Sequence, residues 1–174
     1  MDDRGVVEAQ IGRPPRSVAD VTARCHLGLP VVITVPPLLD DGTPFPTLYW
    51  LTCPLAAKRI GRIEATGGVR AAEVMLAEDD ALHALHDAAM ERYRVDRDAR
   101  VPEDHIGPLP RGGVGGTGAG VKCLHAHYAD TAVGNVNPVG AWVGDQVEPL
   151  DCTQPCVADI DGTWVRNPQW SEPR

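Results

Sequence analysis

The sequence predicts an α+β fold: a small antiparallel sheet near the N-terminus packed by three or four helices, followed by an irregular Gly/Pro-rich C-terminal tail. Three observations carry this expectation. Short β-rich runs bounded by turn residues crowd residues 18–53, helical periodicity with end signals occupies much of 54–133, and 18 Gly and 16 Pro favour turns over long uninterrupted elements.

Taken in order, "DRGVVEAQI" (3–11) reads as a short helix that Pro14 and Pro15 end, because proline cannot continue the hydrogen-bond ladder. Residues 1–15 are thus expected to form an N-terminal helix or arm. Residues 16–174 then make a single α+β domain, a length that one core can serve. The runs "VADVTARC" (18–25), "PVVITVP" (30–36) and "TLYWLTC" (47–53) read as three strands. Pro54 then opens a helix that Gly67–Gly68 stops, which puts Cys53 at a helix N-terminus. Residues 69–95 read as one broken or two consecutive helices, with Val74, Leu82, Leu85 and Ala89 expected inside. A long loop (97–120), a helix from about Val121 to Val133 and an aperiodic tail from Asn135 complete the reading.

The charge is −8 and unevenly placed, with most of the 24 Asp and Glu in the second part of the chain. An acidic field repels phosphate backbones, so nucleic acid is disfavoured as a partner. No apolar run approaches the roughly 20 residues of a membrane span, so no membrane partner is expected. The start "MDDRGVVEAQ" is acidic, unlike a signal peptide. A cytoplasmic location follows as an expectation, and five cysteines in a reducing compartment are thiols or metal ligands before they are disulfides.

The densest chemistry lies in "VKCLHAHYAD" (121–130). On a regular helix Cys123 and His127 share a face, whereas His125 turns away, so the stretch offers Cys123 with His127 as an optional partner. Cys25 and Cys53 end predicted strands, and Cys152 and Cys156 flank "TQP" in the tail. Such positions have the backbone freedom to converge. Structural zinc usually takes close Cys-x2-Cys pairs, which are missing here, while iron–sulfur clusters accept dispersed thiolates and often a Cys-Pro segment such as "TCP" at 52–54.

The stretches "DGTPFPTLYWLTCP", "IGRIEATGGV", "GVKCLHAHYAD" and "NPVG" resemble the bacterial, largely actinobacterial family called domain of unknown function 501. The likeness runs from about Arg13 to Cys156. The resemblance implies cysteines at Cys25, Cys53, Cys123 and Cys156 as a ligand set, leaving Cys152 as the extra. It implies no reaction. Gene neighbours of the family point to a protein partner in growth, division or phosphate metabolism. Where members continue "RCP" this chain has "RCH", so His26 could replace or supplement Cys25.

Three further motifs are weaker. "DIDGT" (159–163) matches a phosphatase nucleophile motif but has only 11 residues after it, so a turn is expected. "GVGGTG" (113–118) has no strand before it and reads as a loop, with a weak anion site possible at the following helix start. His83, His86 and Asp87 could meet a divalent ion on one helix face, though a solvated surface is the commoner meaning.

The preferred reading is therefore an uncharacterised metal-binding protein in which Cys25, Cys53, Cys123 and Cys156 hold an iron–sulfur cluster, possibly 4Fe-4S. The role could be structural, redox or sensing. His26, His127 and Cys152 are substitute ligands. Cys53, at a helix start, is expected to have a lowered thiolate pKa. The alternatives are a zinc staple with the same ligands, a cluster-free enzyme using Cys123 with His127 on a phosphorylated or acyl substrate, and a partner-binding scaffold with an apolar patch near Trp164 and Trp170.

Overall fold

Valines and isoleucine at 31–33 make a strand that has to be covered on both faces, and it forms the middle of a three-stranded antiparallel sheet. The computed structural model describes residues 2–173. The strands are β1 (Asp20–Arg24), β2 (Pro30–Thr34) and β3 (Tyr49–Leu51), in the order β1-β2-β3. Val21 lies opposite Ile33, and Ile33 opposite Trp50. Val32 joins the main core, while Ile33 packs with Val7 of the first helix, α1 (Asp3–Ile11).

Asp2 caps α1 by accepting from the Gly5 amide at 3.0 Å, and Gly12 closes it in the left-handed conformation that spares glycine a Cβ clash. The helix buries Val6, Val7, Ala9 and Gln10, so residues 3–11 are built into the body of the fold.

On the other face, α2 (Pro54–Ala65) follows β3 directly and packs Leu55, Ala56 and Ile60 into the core. Helices α3 (Gly68–Glu78) and α4 (Asp80–Asp98) are two elements because Asp79 turns extended and caps α4 through the Ala81 and Leu82 amides. Their inner face is Ala72, Leu76, His86, Ala89, Met90, Tyr93 and Arg97. Ala89 is buried as expected, Leu82 is half-buried, and Val74 and Leu85 are exposed. Apolar periodicity misses this face because two of its residues, His86 and Arg97, are polar. Arg97 is buried and donates to the carbonyls of Pro110 and Gly112, which ties down the loop after α4.

That loop contains a single 3-10 turn at Val114–Gly116 and leads to α5 (Leu124–Ala132). The tail expected to be aperiodic instead forms α6 (Pro138–Val147) and a hairpin of β4 (Val157–Ile160) and β5 (Thr163–Arg166). Asn137 caps α6, Pro138 opens it, and Val139, Val143 and Val147, one turn apart, are fully buried. At Gly140, a Cβ would lie 2.1 Å from Thr131 Oγ1 and 2.2 Å from the His127 carbonyl, so only glycine lets α6 cross α5 this closely. "DIDGT" is the hairpin turn, with Asp161 and Gly162 both at positive φ. Trp164 and Trp170 are half-buried and pack against the core, where the scaffold reading expected an exposed patch. No helix among the described residues is long and apolar enough to cross a membrane.

A buried polar network joins α4, α5 and α6. Asp130 is fully buried and accepts from Arg92 at 2.6 Å, from Asn135 at 2.9 Å and from Asn137 at 3.0 Å. Asn137 Oδ1 in turn accepts from His127 Nδ1 at 3.2 Å, and the His127 ring lies 5.4 Å from that of His86. The nitrogens of His86 and Nε2 of His127 have no partner among the described residues.

Arg59 of α2 fastens the end of α6 and the loop beyond it. Its guanidinium donates to the carbonyls of Val147 at 2.6 Å and Pro149 at 2.7 Å and to Asp151 at 3.3 Å. Glu172 adds ion pairs to Lys58, Arg59 and Arg62.

Two expected outcomes follow. Burial holds His127 down to about 4 and lowers His86 too, whereas both titrate near about 6.5 when unfolded. Between these values the unfolded chain binds more protons, so stability should fall as pH drops from about 6.5 towards 4, by on the order of 3 kcal/mol for His127. Melting temperatures measured across that interval should show the loss, and His86→Leu should shrink it. Replacement Arg59→Met should cost about 1–3 kcal/mol in a denaturant titration, with amide exchange speeding up first in residues 148–156.

Candidate metal centre

Four of the five cysteines line one cavity, and three separate pieces of backbone set them there. Cys25 follows β1 in a tight turn, closed by bonds from the Cys25 amide to the Leu29 carbonyl and from the Gly28 amide to the Cys25 carbonyl. Cys53 is the residue before Pro54, where β3 passes into α2. Cys152 and Cys156 come from the segment after α6 that Arg59 holds at one end. At its other end the Asn167 side chain donates to the Pro155 carbonyl and the Asn167 amide to that of Cys156. Gln10, Leu27, Leu29, Pro30, Leu55 and Leu150 complete the wall of a tight cavity of about 10 Å³.

All five cysteines are free thiols. Two of the four sulfurs receive N–H donors: Gln10 Nε2 lies 3.6 Å from Cys156 Sγ, and Trp170 Nε1 lies 3.5 Å from Cys152 Sγ. The expected lowering of the Cys53 pKa is overturned. Burial pushes this thiol up to about 11, and the amides of Ala56 and Leu55 at the helix start only partly offset it. Burial raises Cys156 in the same way. Buried thiols of this kind are poor nucleophiles, and their chemistry is that of ligands or of packing.

Cys123, expected among the ligands, is not among the residues lining this cavity, and Cys152 stands there instead. The helix starts at Leu124, leaving Cys123 as an extended residue with φ −148° just before it. The face-sharing rule for a helix running from Val121 therefore does not apply.

Cys123 Sγ lies 3.9 Å from Nδ1 of His125, the histidine expected to point away. His127, by contrast, is fully buried against Asn137 and His86, and its bond to Cys123 is only from its amide to the carbonyl at 3.4 Å. The Cys123–His127 pair of the enzyme reading is not formed, and His127 lies outside the cysteine cavity. His26 is not among the residues lining the cavity, and its Nε2 donates to the Cys152 carbonyl at 2.9 Å. His83 and Asp87 are exposed while His86 points inward, so those three do not meet.

His125 brings in a residue that sequence reasoning missed. Its Nδ1 is 3.2 Å from Glu64 Oε1, and its Nε2 is 3.1 Å from the Ala57 carbonyl. The neighbouring sulfur of Cys123, with help from Glu64, raises the ring's pKa to about 9. Glu64 Oε1 also accepts the Leu124 amide at 2.7 Å, so the helix start considered as an anion site already carries the chain's own carboxylate. Glu64 has no local signal, since it lies 60 residues before Leu124. Cys152 had one: two cysteines four apart around a proline in a loop.

The model of a family described as "Protein of unknown function (DUF501)" matches residues 21–145, a span that holds Cys25, Cys53 and Cys123 and ends before Cys152 and Cys156. No curated protein and no solved structure matches the chain. The match covers most of the chain, and the protein belongs to the DUF501 family, as its motifs around Cys53 and Cys123 led one to expect.

Proposed function

We propose that this is a metal-binding protein in which Cys25, Cys53, Cys152 and Cys156 hold an iron–sulfur cluster. The carrying observation is the convergence of four free thiols, from three separate stretches of chain, on one mostly apolar cavity. Gathering four cysteines, Cys53 and Cys156 buried and Cys25 and Cys152 half-buried, around a common space serves packing no better than valine or alanine would, whereas it meets the four-thiolate requirement of such clusters.

Two further features favour a cluster over a single zinc ion. Zinc–sulfur bonds of about 2.3 Å place ligand sulfurs about 3.8 Å apart. Among the described residues, only Glu64, Cys123 and His125 bring three donor atoms within 4.8 Å of one another, so the four sulfurs are spread more widely than that. A polynuclear cluster, with its thiolates on different iron atoms, holds them farther apart than one ion does. The N–H donors on Cys152 and Cys156 are the kind of contact that tunes cluster potential. Free thiols and the acidic charge suit a protein of the reducing cytosol that does not seek nucleic acid.

Protein purified without oxygen should contain iron and acid-labile sulfide and show a broad band near roughly 400 nm. Serine at Cys25, Cys53, Cys152 or Cys156 should remove most of the iron, and Cys123→Ser should keep it. Zinc alone, or thiols that all titrate freely in metal-free protein, would overturn the cluster. Iron lost with Cys123→Ser but kept with Cys152→Ser would return the ligand set to the one the family resemblance implied.

A further inference from the structure

Three donor atoms of different chemistry meet at the start of α5: the Cys123 sulfur, His125 Nδ1 and Glu64 Oε1, all within 4.8 Å of one another. We infer that Glu64, Cys123 and His125 form a second metal site, for one zinc-class divalent ion whose fourth coordination position opens onto the adjoining cleft.

Geometry, supporting contacts and access all bear on this. Zinc bonds of about 2.0–2.3 Å in a tetrahedron set ligand atoms about 3.3–3.8 Å apart. The observed separations of 3.2 Å between nitrogen and oxygen and 3.9 Å between sulfur and nitrogen sit close to those edges. A carbonyl can only accept, so His125 Nε2 carries a proton for Ala57, and Nδ1 is the nitrogen that faces the other two donors. That is the arrangement in which proteins present histidine to a metal. The carboxylate is oriented in the same manner, since the Leu124 amide binds the oxygen that faces the ring.

Two anionic ligand types and an imidazole nitrogen make a set that zinc, or cobalt in its place, accepts. Three protein ligands with one vacant position is the pattern of zinc centres that bind water or a small ligand, in contrast to closed structural sites. Cys123 and His125 are also walls of a cleft of about 420 Å³, partly open to solvent and lined by Thr47, Tyr49, Trp50 and Leu51 of the β3 region and by Gly115. An ion between them therefore faces that cleft. The cleft is mostly apolar, so it would admit water or a small molecule with one metal-seeking end.

The inference does not depend on the four-cysteine reading, and the test keeps the two apart. The full chain carrying Cys25→Ser and Cys152→Ser, stripped with a chelator, is titrated with Co²⁺. The expected result is one equivalent bound, with the visible bands of four-coordinate Co²⁺ and a thiolate charge-transfer band. Adding His125→Gln or Cys123→Ser should weaken binding at least about tenfold, with the charge-transfer band lost in the second case. A folded background that binds no Co²⁺, or one whose affinity ignores both replacements, overturns the site. If the doubly substituted background does not fold, ions are counted by native mass spectrometry after Zn²⁺ loading of the otherwise unaltered chain. His125→Gln should then hold one Zn²⁺ fewer than its parent, and equal counts overturn the site.

Discussion

The carboxylate of Asp130 has no exposed surface, and the helical half of the molecule is arranged around keeping it satisfied. An isolated charge in such a place is very costly, and removing a partner from a buried pair is more damaging than never having had the pair. Arg92 supplies the countercharge from α4, and Asn135 and Asn137 supply hydrogen bonds from the turn before α6. Asn137 is then oriented strictly: its amide nitrogen faces Asp130, so its oxygen is left for His127 and for the Gly140 amide that starts α6. One buried charge thus sets the relation of three helices. By fixing α5 it also sets where the Cys123 end of that helix meets α2.

The cysteines divide by environment. Cys53 and Cys156 are buried among aliphatic side chains, where burial keeps the proton on sulfur. Cys123 is half-buried, on the wall of a wide cleft, with a histidine and a glutamate against it. A thiol in the first setting suits retention of a soft inorganic group away from water, and one in the second suits exchange with solvent and small molecules. The chain keeps both settings within one α+β body, joined through α2, whose first residue follows Cys53 and whose last turn carries Glu64.

Much of the fold was legible because it follows from local chemistry. Pro54 and Gly67–Gly68 bracket α2, the Asp-Gly pair at 161–162 makes a hairpin turn, and the three β-rich runs become β1 to β3. α6 was missed although Val139, Val143 and Val147 repeat every turn, because intervening glycines weaken the helical pattern. The inner face of α4 was misread since His86 and Arg97 lie on it. At Cys123 a shift of three residues in the helix start exchanged one histidine for another. Cysteine is not among the favoured capping residues, so no signal marked that boundary. That Cys25, Cys53 and Cys156 share a cavity was within reach of reasoning about backbone freedom. Which of Cys123 and Cys152 joins them depends on how α5 and the 148–156 loop pack, and that is information distributed along the whole chain.

The cysteine cavity draws its walls from Gln10 through to Cys156, and the Gln10 side chain bridges the Pro30 carbonyl and the Cys156 sulfur while its main-chain carbonyl accepts from Arg166. Closing so long a span carries the entropic cost of a long loop. The space between the thiols therefore exists only in molecules whose distant segments have already found one another. An occupant held there would work as a latch that ties Cys25, Cys53 and the 148–156 loop together, and a cut in that loop between Cys152 and Cys156 would divide its hold between two pieces of chain.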